Sequence, residues 1–367
     1  MSEDNKKRLK VGITIGDTNG IGPEVILKTL GTPEMMEMMI PVVYGSSKIM
    51  NYHRSACNLN NIAFNYTKSA EHLKDNQPNL VECINQDIKI ELGQASKQAG
   101  YAAFSALEAA VHDLKTGLID VLVTAPISKD NIQSDQFHFP GHTEYLESAA
   151  GEGNKALMLM CTENLRIALA TTHLPLSQVP ESLTIEGIRE KIRLLNTSLK
   201  RDFNIDGPRI AVLSLNPHAG ENGILGTEER DIILPAMMQA LDEEGIQCFG
   251  PYAADGFFGA RHYRRFDGVL AMYHDQGLAP FKTIAMDEGV NFTAGLPIVR
   301  TSPDHGTGYD IAGQGCANEA SLRHAIYTAI DIYRNRLRYD KSRENPLPKL
   351  FQDRGRDNVK LDLTKEE

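Results

Sequence analysis

Short apolar, β-branched runs alternate with longer stretches of helical period from near the start of the chain. Val11–Ile15 reads as a buried strand. It passes through the turn Gly16-Asp17-Thr18-Asn19-Gly20-Ile21-Gly22 into a helix opened by Pro23, a residue type favoured at the first helical position. Val42–Tyr44 reads as a second strand and Ala95–Lys115 as a helix with Ala102, Ala103, Leu107 and Ala110 at its small or apolar positions. Val121–Thr124 reads as a strand leaving through the loop Ala125-Pro126-Ile127-Ser128-Lys129. Three further apolar runs follow, Ile167–Thr172, Ile210–Leu215 and Val269–Tyr273, separated by helical stretches such as Thr184–Lys200 and Glu228–Glu244. A last helix is expected over Ala317–Arg338, and the charged, proline-punctuated tail from Asp340 carries no assigned chemistry. Such alternation predicts an α/β fold built on a parallel sheet.

Each of the three later runs stops at or shortly before a histidine: His173, His218 and His274. In a parallel sheet these imidazoles fall at the carboxyl ends of strands, where open α/β folds place their ligand sites. Neutral imidazole is the commonest protein ligand for borderline transition metals, and three can leave coordination positions for a substrate. One strand-end histidine alone is more often a hydrogen-bonded structural residue, and the spacing matches neither His-Glu-x-x-His nor Cys-x-x-Cys.

Composition narrows the setting. At 367 residues the chain exceeds the roughly 250–300 at which single cores stop growing, so two α/β domains are expected. Its net charge of -10, from 48 acidic and 38 basic residues, argues against a nucleic-acid or anionic-membrane surface, and an anionic ligand would need a local cationic site. Met1–Lys10 is polar, and no stretch approaches the roughly 18 apolar residues of a membrane span. Five scattered cysteines, Cys57, Cys83, Cys161, Cys248 and Cys316, suit free thiols in a reducing compartment, so the expectation is cytoplasmic.

The candidate chemistry lies in loops. Gly16–Gly22 is not a dinucleotide fingerprint, because Val25 stands where the last glycine belongs and Asp17 would repel a pyrophosphate; a tight structural turn is expected. In Asn216-Pro217-His218-Ala219-Gly220-Glu221-Asn222-Gly223, Glu221 or Asn222 is placed to orient His218. Tyr273–Arg300 gathers His274, Asp275, Lys282, Asn291 and Arg300, of which the lysine, asparagine and arginine suit a phosphate or carboxylate. Arg300 follows the apolar Leu296-Pro297-Ile298-Val299, as if leaving the core at a strand end. Gly141-His142-Thr143-Glu144 offers an imidazole and a hydroxyl to a ligand, or a helix cap at Thr143. The segment His305–Gly313 is equally open.

Taken together, Gly16-Asp17 with Gly20-Ile21-Gly22-Pro23-Glu24, Thr124–Lys129, Gly141–Glu144, Leu215–Gly220 with Gly226-Thr227-Glu228-Glu229, Met272–Leu278, and Gly289-Val290-Asn291 through Arg300-Thr301-Ser302 resemble the 4-hydroxythreonine-4-phosphate dehydrogenase family of pyridoxal phosphate (vitamin B6) biosynthesis. The resemblance runs from about Val11 to Tyr339. It implies two α/β/α domains similar to isocitrate and isopropylmalate dehydrogenases, the first from 1–130 with 290–367 and the second from 131–289, the latter carrying the dimer contacts. The active site would lie in the interdomain cleft at a homodimer interface, with metal ligands from both chains. Position by position it implies a divalent metal (zinc, magnesium or cobalt) on His173, His218 and His274, and substrate held by His142, Thr143, Lys282, Asn291 and Arg300. His305, Gly306 and Thr307 are expected against NAD or NADP. The implied reaction is NAD(P)-linked oxidation of 4-phosphohydroxy-L-threonine and decarboxylation to 3-amino-2-oxopropyl phosphate. Asp275, Asp255 and His142 stand as candidates for the general base. Asn222, Ile224 and Leu225 replace the family's more usual small and polar residues. Relatives acting on threonate or erythronate 4-phosphate, and phosphate acyltransferases of related architecture, are the alternatives.

Overall fold

The computed structural model describes residues 8–59, 62–135 and 137–346. Twelve strands form one sheet: β1 (Leu9–Thr14), β2 (Met39–Gly45), β3 (Asn65–Thr67), β4 (Asn79–Glu82), β5 (Val121–Thr124), β6 (Leu157–Cys161), β7 (Arg166–Leu169), β8 (Ile210–Leu213), β9 (Cys248–Tyr252), β10 (Gly268–Ala271), β11 (Val290–Ala294) and β12 (Arg300–Pro303). Their spatial order is β3-β4-β2-β1-β5-β12-β11-β6-β7-β10-β8-β9. The parallel sheet expected from the sequence is therefore mixed. β11 runs antiparallel to both β12 and β6, and β6 antiparallel to β7. These pairings join two parallel sets that run in opposite senses, and the segments expected as separate domains meet where β11 pairs with β6.

The central strands are buried on both faces, and helices supply the cover. Val11, Ile13, Val121, Leu122 and Val123 are fully buried, as central parallel strands require. The helix Lys97–Lys115 is capped by the Ser96 hydroxyl, and Ile185–Arg201 by that of Thr184. The last helix, Ala320–Arg343, begins later and ends later than its sequence pattern suggested; Asp340, expected in the tail, lies inside it and pairs with Arg201. The tail beyond residue 346 lies outside the described residues. Among the described residues no helix is long and apolar enough to cross a membrane.

Two local sequences explain themselves in the fold. In His274-Asp275-Gln276-Gly277, Gln276 donates to Ser214 O (2.6 Å) and accepts from Met272 N (2.7 Å), tying the ends of β8 and β10 together. A Cβ on Gly277 would stand 2.8 Å from a Leu169 methyl carbon and 3.0 Å from Ala271 Cβ, so only glycine lets this helix lie against β7 and β10. The turn at Gly16 is structural, as expected. Asp17 is buried and accepts hydrogen bonds from Tyr309 Oη and Asn131 Nδ2, both at 2.7 Å.

Candidate active site

Strand register builds the floor of the cavity. Asn291 pairs with Ser302 and Phe292 with Thr301, which sets Thr293 beside Arg300; Met158 faces Thr293 across β6, and Arg300 faces Leu122 of β5. Alternation then puts Thr124, Arg300, Ser302, Asn291, Thr293 and Met158 on one face. The intervening Thr301 points the other way and donates to Ala325 O of the last helix, which covers the back. A cavity of about 260 Å³ opens over this front face, walled by the loops after β5 and β12, the start of the helix His142–Ala150, and the segments carrying His173 and His274.

Arg300 sits in this floor with only 2% of its surface exposed. It opens β12 rather than leaving a strand, correcting the expectation drawn from Leu296–Val299. Its guanidinium donates to the Thr124 hydroxyl through Nε (3.0 Å) and Nη2 (2.6 Å) and to the Thr293 hydroxyl through Nη1 (3.2 Å). Two hydroxyls leave the charge uncompensated. Burial pushes the guanidinium down to about 9, with Glu144 the opposing influence. A buried cation without a counter-ion is costly, and an anionic ligand would relieve that cost.

The other expected substrate residues gather around it. His142, Thr143, Lys282 and Asn291 all line the cavity. Gly141 rather than Thr143 stands at the cap of the helix His142–Ala150, so the capping alternative for Thr143 is not realised. Burial, then the charges of Arg300 and Lys129, holds the His142 imidazole well below its usual range, which keeps it neutral near pH 7. Lys282 Nζ meets Asp304 Oδ1 at 3.2 Å and donates to Asp304 O at 3.1 Å. Among the described residues, five of the eleven buried side-chain atoms without a hydrogen-bond partner belong to this wall: His142 Nε2, Glu144 Oε2, Asn291 Oδ1, Asp304 Oδ2 and His305 Nε2. Unsatisfied polar atoms are rare in native interiors, and their concentration here marks a site that a ligand completes.

The histidines divide two and one. β7 and β10 are parallel neighbours, and their pairing continues past the strands through Thr171, which donates to Met272 O from its amide (3.2 Å) and its hydroxyl (2.7 Å). His173 and His274 consequently stand side by side, ring centres 6.0 Å apart. Asp275 Oδ1 lies 2.7 Å from His274 Nδ1, which leaves Nε2 clear of Asp275 and open to a ligand, an arrangement common for metal-bound imidazole. His218 lies apart. It is exposed on the loop after β8, outside the cavity lining, and no cluster of three or more His, Cys, Asp or Glu able to hold a metal occurs among the described residues. Two imidazole nitrogens fit part of a borderline divalent cation's donor set, and a third donor must come from elsewhere.

The His218 loop is strained. His218, Ala219, Glu221 and Asn222 all have φ between 42° and 56°, a left-handed turn that L-residues adopt only when held. The holder is Glu229, buried beneath the loop, whose carboxylate accepts from Leu215 N (2.8 Å), Asn216 N (2.7 Å) and Asn216 Nδ2 (3.1 Å). Glu221 and Asn222, expected to orient His218, have exposed side chains.

The remaining candidates scatter. His305 and Gly306 line the cavity; Thr307 does not, and its carbonyl accepts from Ile21 N (2.8 Å) in the first turn. Asp275 is 87% exposed and reaches the site only through His274. Asp255 is exposed on the short helix Ala254–Gly259 after the edge strand β9, away from the cavity lining. Sequence reasoning passed over Lys129, Glu144 and Asp304. Lys129 ends the loop after β5 and Asp304 follows β12, so asking of every strand what leaves its end, as was asked of the histidines, would have found both.

The model of the family described as pyridoxal phosphate biosynthetic protein PdxA matches residues 37–329. The chain belongs to the PdxA family. A relative from Bacteroides thetaiotaomicron named 4-hydroxythreonine-4-phosphate dehydrogenase is 53% identical over 361 residues, 98% of each chain. A relative from Oceanobacillus iheyensis, named as a candidate D-threonate 4-phosphate dehydrogenase, is 39% identical over 89% of this chain and 98% of its own. Among solved structures, the 4-hydroxythreonine-4-phosphate dehydrogenase of Klebsiella pneumoniae superimposes with a TM-score of 0.76 at 33% identity, covering 90% of this chain and 99% of that one. The PdxA match holds every strand but β1 and every cavity segment described above.

Proposed function

We propose that this chain is an NAD(P)-dependent oxidoreductase that oxidises 4-phosphohydroxy-L-threonine, with decarboxylation to 3-amino-2-oxopropyl phosphate, a step of pyridoxal 5′-phosphate biosynthesis. The observation that carries the reading is Arg300, a buried guanidinium with no carboxylate partner among the described residues, on the floor of a cavity that also holds Lys282. Membership of the PdxA family and 53% identity to a relative named 4-hydroxythreonine-4-phosphate dehydrogenase support it. The related D-threonate 4-phosphate reading rests on the 39% identical relative and uses the same cationic floor.

Each residue has work in this scheme. Arg300, fixed by Thr124 and Thr293, takes one anionic end of the substrate; Lys282, Asn291 and Thr143 complete the grip and set the orientation. Neutral His142 presents an unpartnered Nε2 for a hydrogen bond to substrate. His173, His274 and a His218 supplied by a second copy would hold the divalent cation, and the loop of His305 and Gly306 would border the nicotinamide cofactor. When bound, the cation supplies Lewis-acid polarisation of the alcohol and of the ketone formed from it, and NAD(P) supplies the hydride acceptor.

Exposed apolar surface supports the homodimer. Leu174 (43%) and Leu176 (69%) are exposed next to His173, and Ile224 (79%) and Leu225 (42%) just beyond the His218 loop. The helix Leu234–Glu244 exposes Leu234, Met238 and Leu241 at helical spacing while burying Ala236, Met237 and Ala240. Uncovered apolar patches beside both kinds of histidine suit a two-fold contact that presses one against the other. An equal mixture of H173A and H218A subunits, allowed to exchange, should then recover about a quarter of wild-type activity, since half the dimers hold one intact site. No recovery would contradict the shared site.

The direct test is a panel of phosphorylated hydroxy acids, with and without the amino group, followed as NADH or NADPH absorbance with and without divalent metal. Metal-dependent reduction with 4-phosphohydroxy-L-threonine is expected. Turnover of threonate 4-phosphate alone would move the reading to the sugar acid, and acyl transfer to phosphate without cofactor reduction would replace it.

A further inference from the structure

The loop leaving β5 brings Lys129 to the cavity wall with its ammonium 3.0 Å from His173 Nε2. An ammonium only donates, so Nε2 accepts and the ring proton sits on Nδ1, which faces Glu144 Oε1 at 3.7 Å. The His173 ring is thus held between a cation on one nitrogen and a carboxylate on the other. The lone pair that Lys129 occupies is the one a divalent metal needs, because His274 lies alongside with its own Nε2 clear of Asp275.

Resting on the metal reading above, we propose that Lys129 and the divalent cation are alternative occupants of the His173 lone pair. In the metal-free protein the ammonium holds the ring in its ligating tautomer and orientation. Metal entry displaces it, and the freed ammonium turns to the anionic substrate.

Two features favour exchange over coexistence. Lys129, Lys282 and Arg300 already line the cavity against the carboxylates Glu144 and Asp304, so a divalent cation 3 Å or less from a fixed ammonium would meet strong repulsion. The lysine also has the means to move: its side chain is exposed, and its ammonium is engaged by an imidazole nitrogen rather than by a carboxylate. Displacement couples the two ligands. Metal releases a cation for the substrate's negative charge, and substrate in turn holds that cation away from the metal position, so each should raise the affinity of the other equally, on the order of tenfold.

Calorimetric titration of cobalt(II) into metal-free wild type, K129M, K129R and H173A, with the visible cobalt band as a second readout, tests this. K129M should bind cobalt about tenfold more tightly than wild type, K129R should not gain, and 4-phosphohydroxy-L-threonine should tighten cobalt binding in wild type but far less in K129M. A merely structural lysine would leave K129M equal or weaker, and that result overturns the inference while the metal reading stands. If wild type takes up no cobalt, or H173A takes up as much as wild type, the metal reading falls and the inference with it. Matching thermal melts of the metal-free variants would show that the comparison is between folded proteins.

Discussion

Two buried arginines in this molecule have opposite surroundings. Arg336, on the last helix, is 6% exposed and has a carboxylate partner: Nε donates to Asp202 at 2.6 Å, and Nη1 to the carbonyls of Leu296, Pro297 and Ile298 at 3.0–3.1 Å. Arg300, on the cavity floor, is 2% exposed and, among the described residues, its guanidinium donates to two threonine hydroxyls and no carboxylate. The first guanidinium ties the turn before β12 to the last helix. The second keeps its charge for something the chain does not contain. Burial alone thus says little about an arginine's role, whereas the balance of its partners says a great deal.

Substitution should separate the two cleanly. R336M leaves the Asp202 carboxylate buried with only Ser198 and loses three carbonyl contacts, so thermal unfolding should show a loss of about 3–5 kcal/mol. R300M should lower kcat/KM by about 10²–10³, roughly 3–4 kcal/mol, while the ligand-free melting temperature holds or rises, because an uncompensated buried charge has been removed. A large stability loss in R300M would make the two arginines alike and undo the contrast. The smallest effect belongs to a third arrangement, at the surface. Arg193 and Arg189 hold the Glu244 carboxyl down from 4.5 to about 2. Its folded value is depressed, so its contribution, about 1 kcal/mol or less, is full above pH 4.5 and fades as pH falls through about 2. E244Q should flatten that part of an acid-unfolding curve, losing that same small contribution at pH 7 and changing little below about pH 2.

The sequence disclosed the strands better than their arrangement. Val121–Thr124 matched its strand residue for residue, and the three histidine runs each found their strand, though each ended earlier than its apolar run, at Leu169, Leu213 and Ala271. The overshoot has a cause: between β7 and β10, ladder-like bonding persists through Ala170 and Thr171, so the residues keep strand character after the regular pairing stops. The antiparallel pairings of β11 and β6 left no mark, because a strand buried on both faces looks the same in either direction. Which histidines meet was equally hidden. It depends on β7 lying next to β10, whereas His218 is carried off on a left-handed turn held by Glu229. The five expected substrate residues did converge on one cavity, but the resemblance named them: the apolar pattern had disclosed neither the helix His274–Ala285 nor the strands Val290–Ala294 and Arg300–Pro303 that carry three of them. Asp304 escaped notice because its meaning lies in Lys282, distant in sequence and 3.2 Å away in space.

The most direct measurement is calorimetric titration of 4-phosphohydroxy-L-threonine, with divalent metal and without NAD(P), into wild type and R300M. If the buried guanidinium is the seat of the substrate's anionic end, wild type binds and R300M binds at least about 100-fold more weakly. Equal affinity in the two proteins would contradict that assignment.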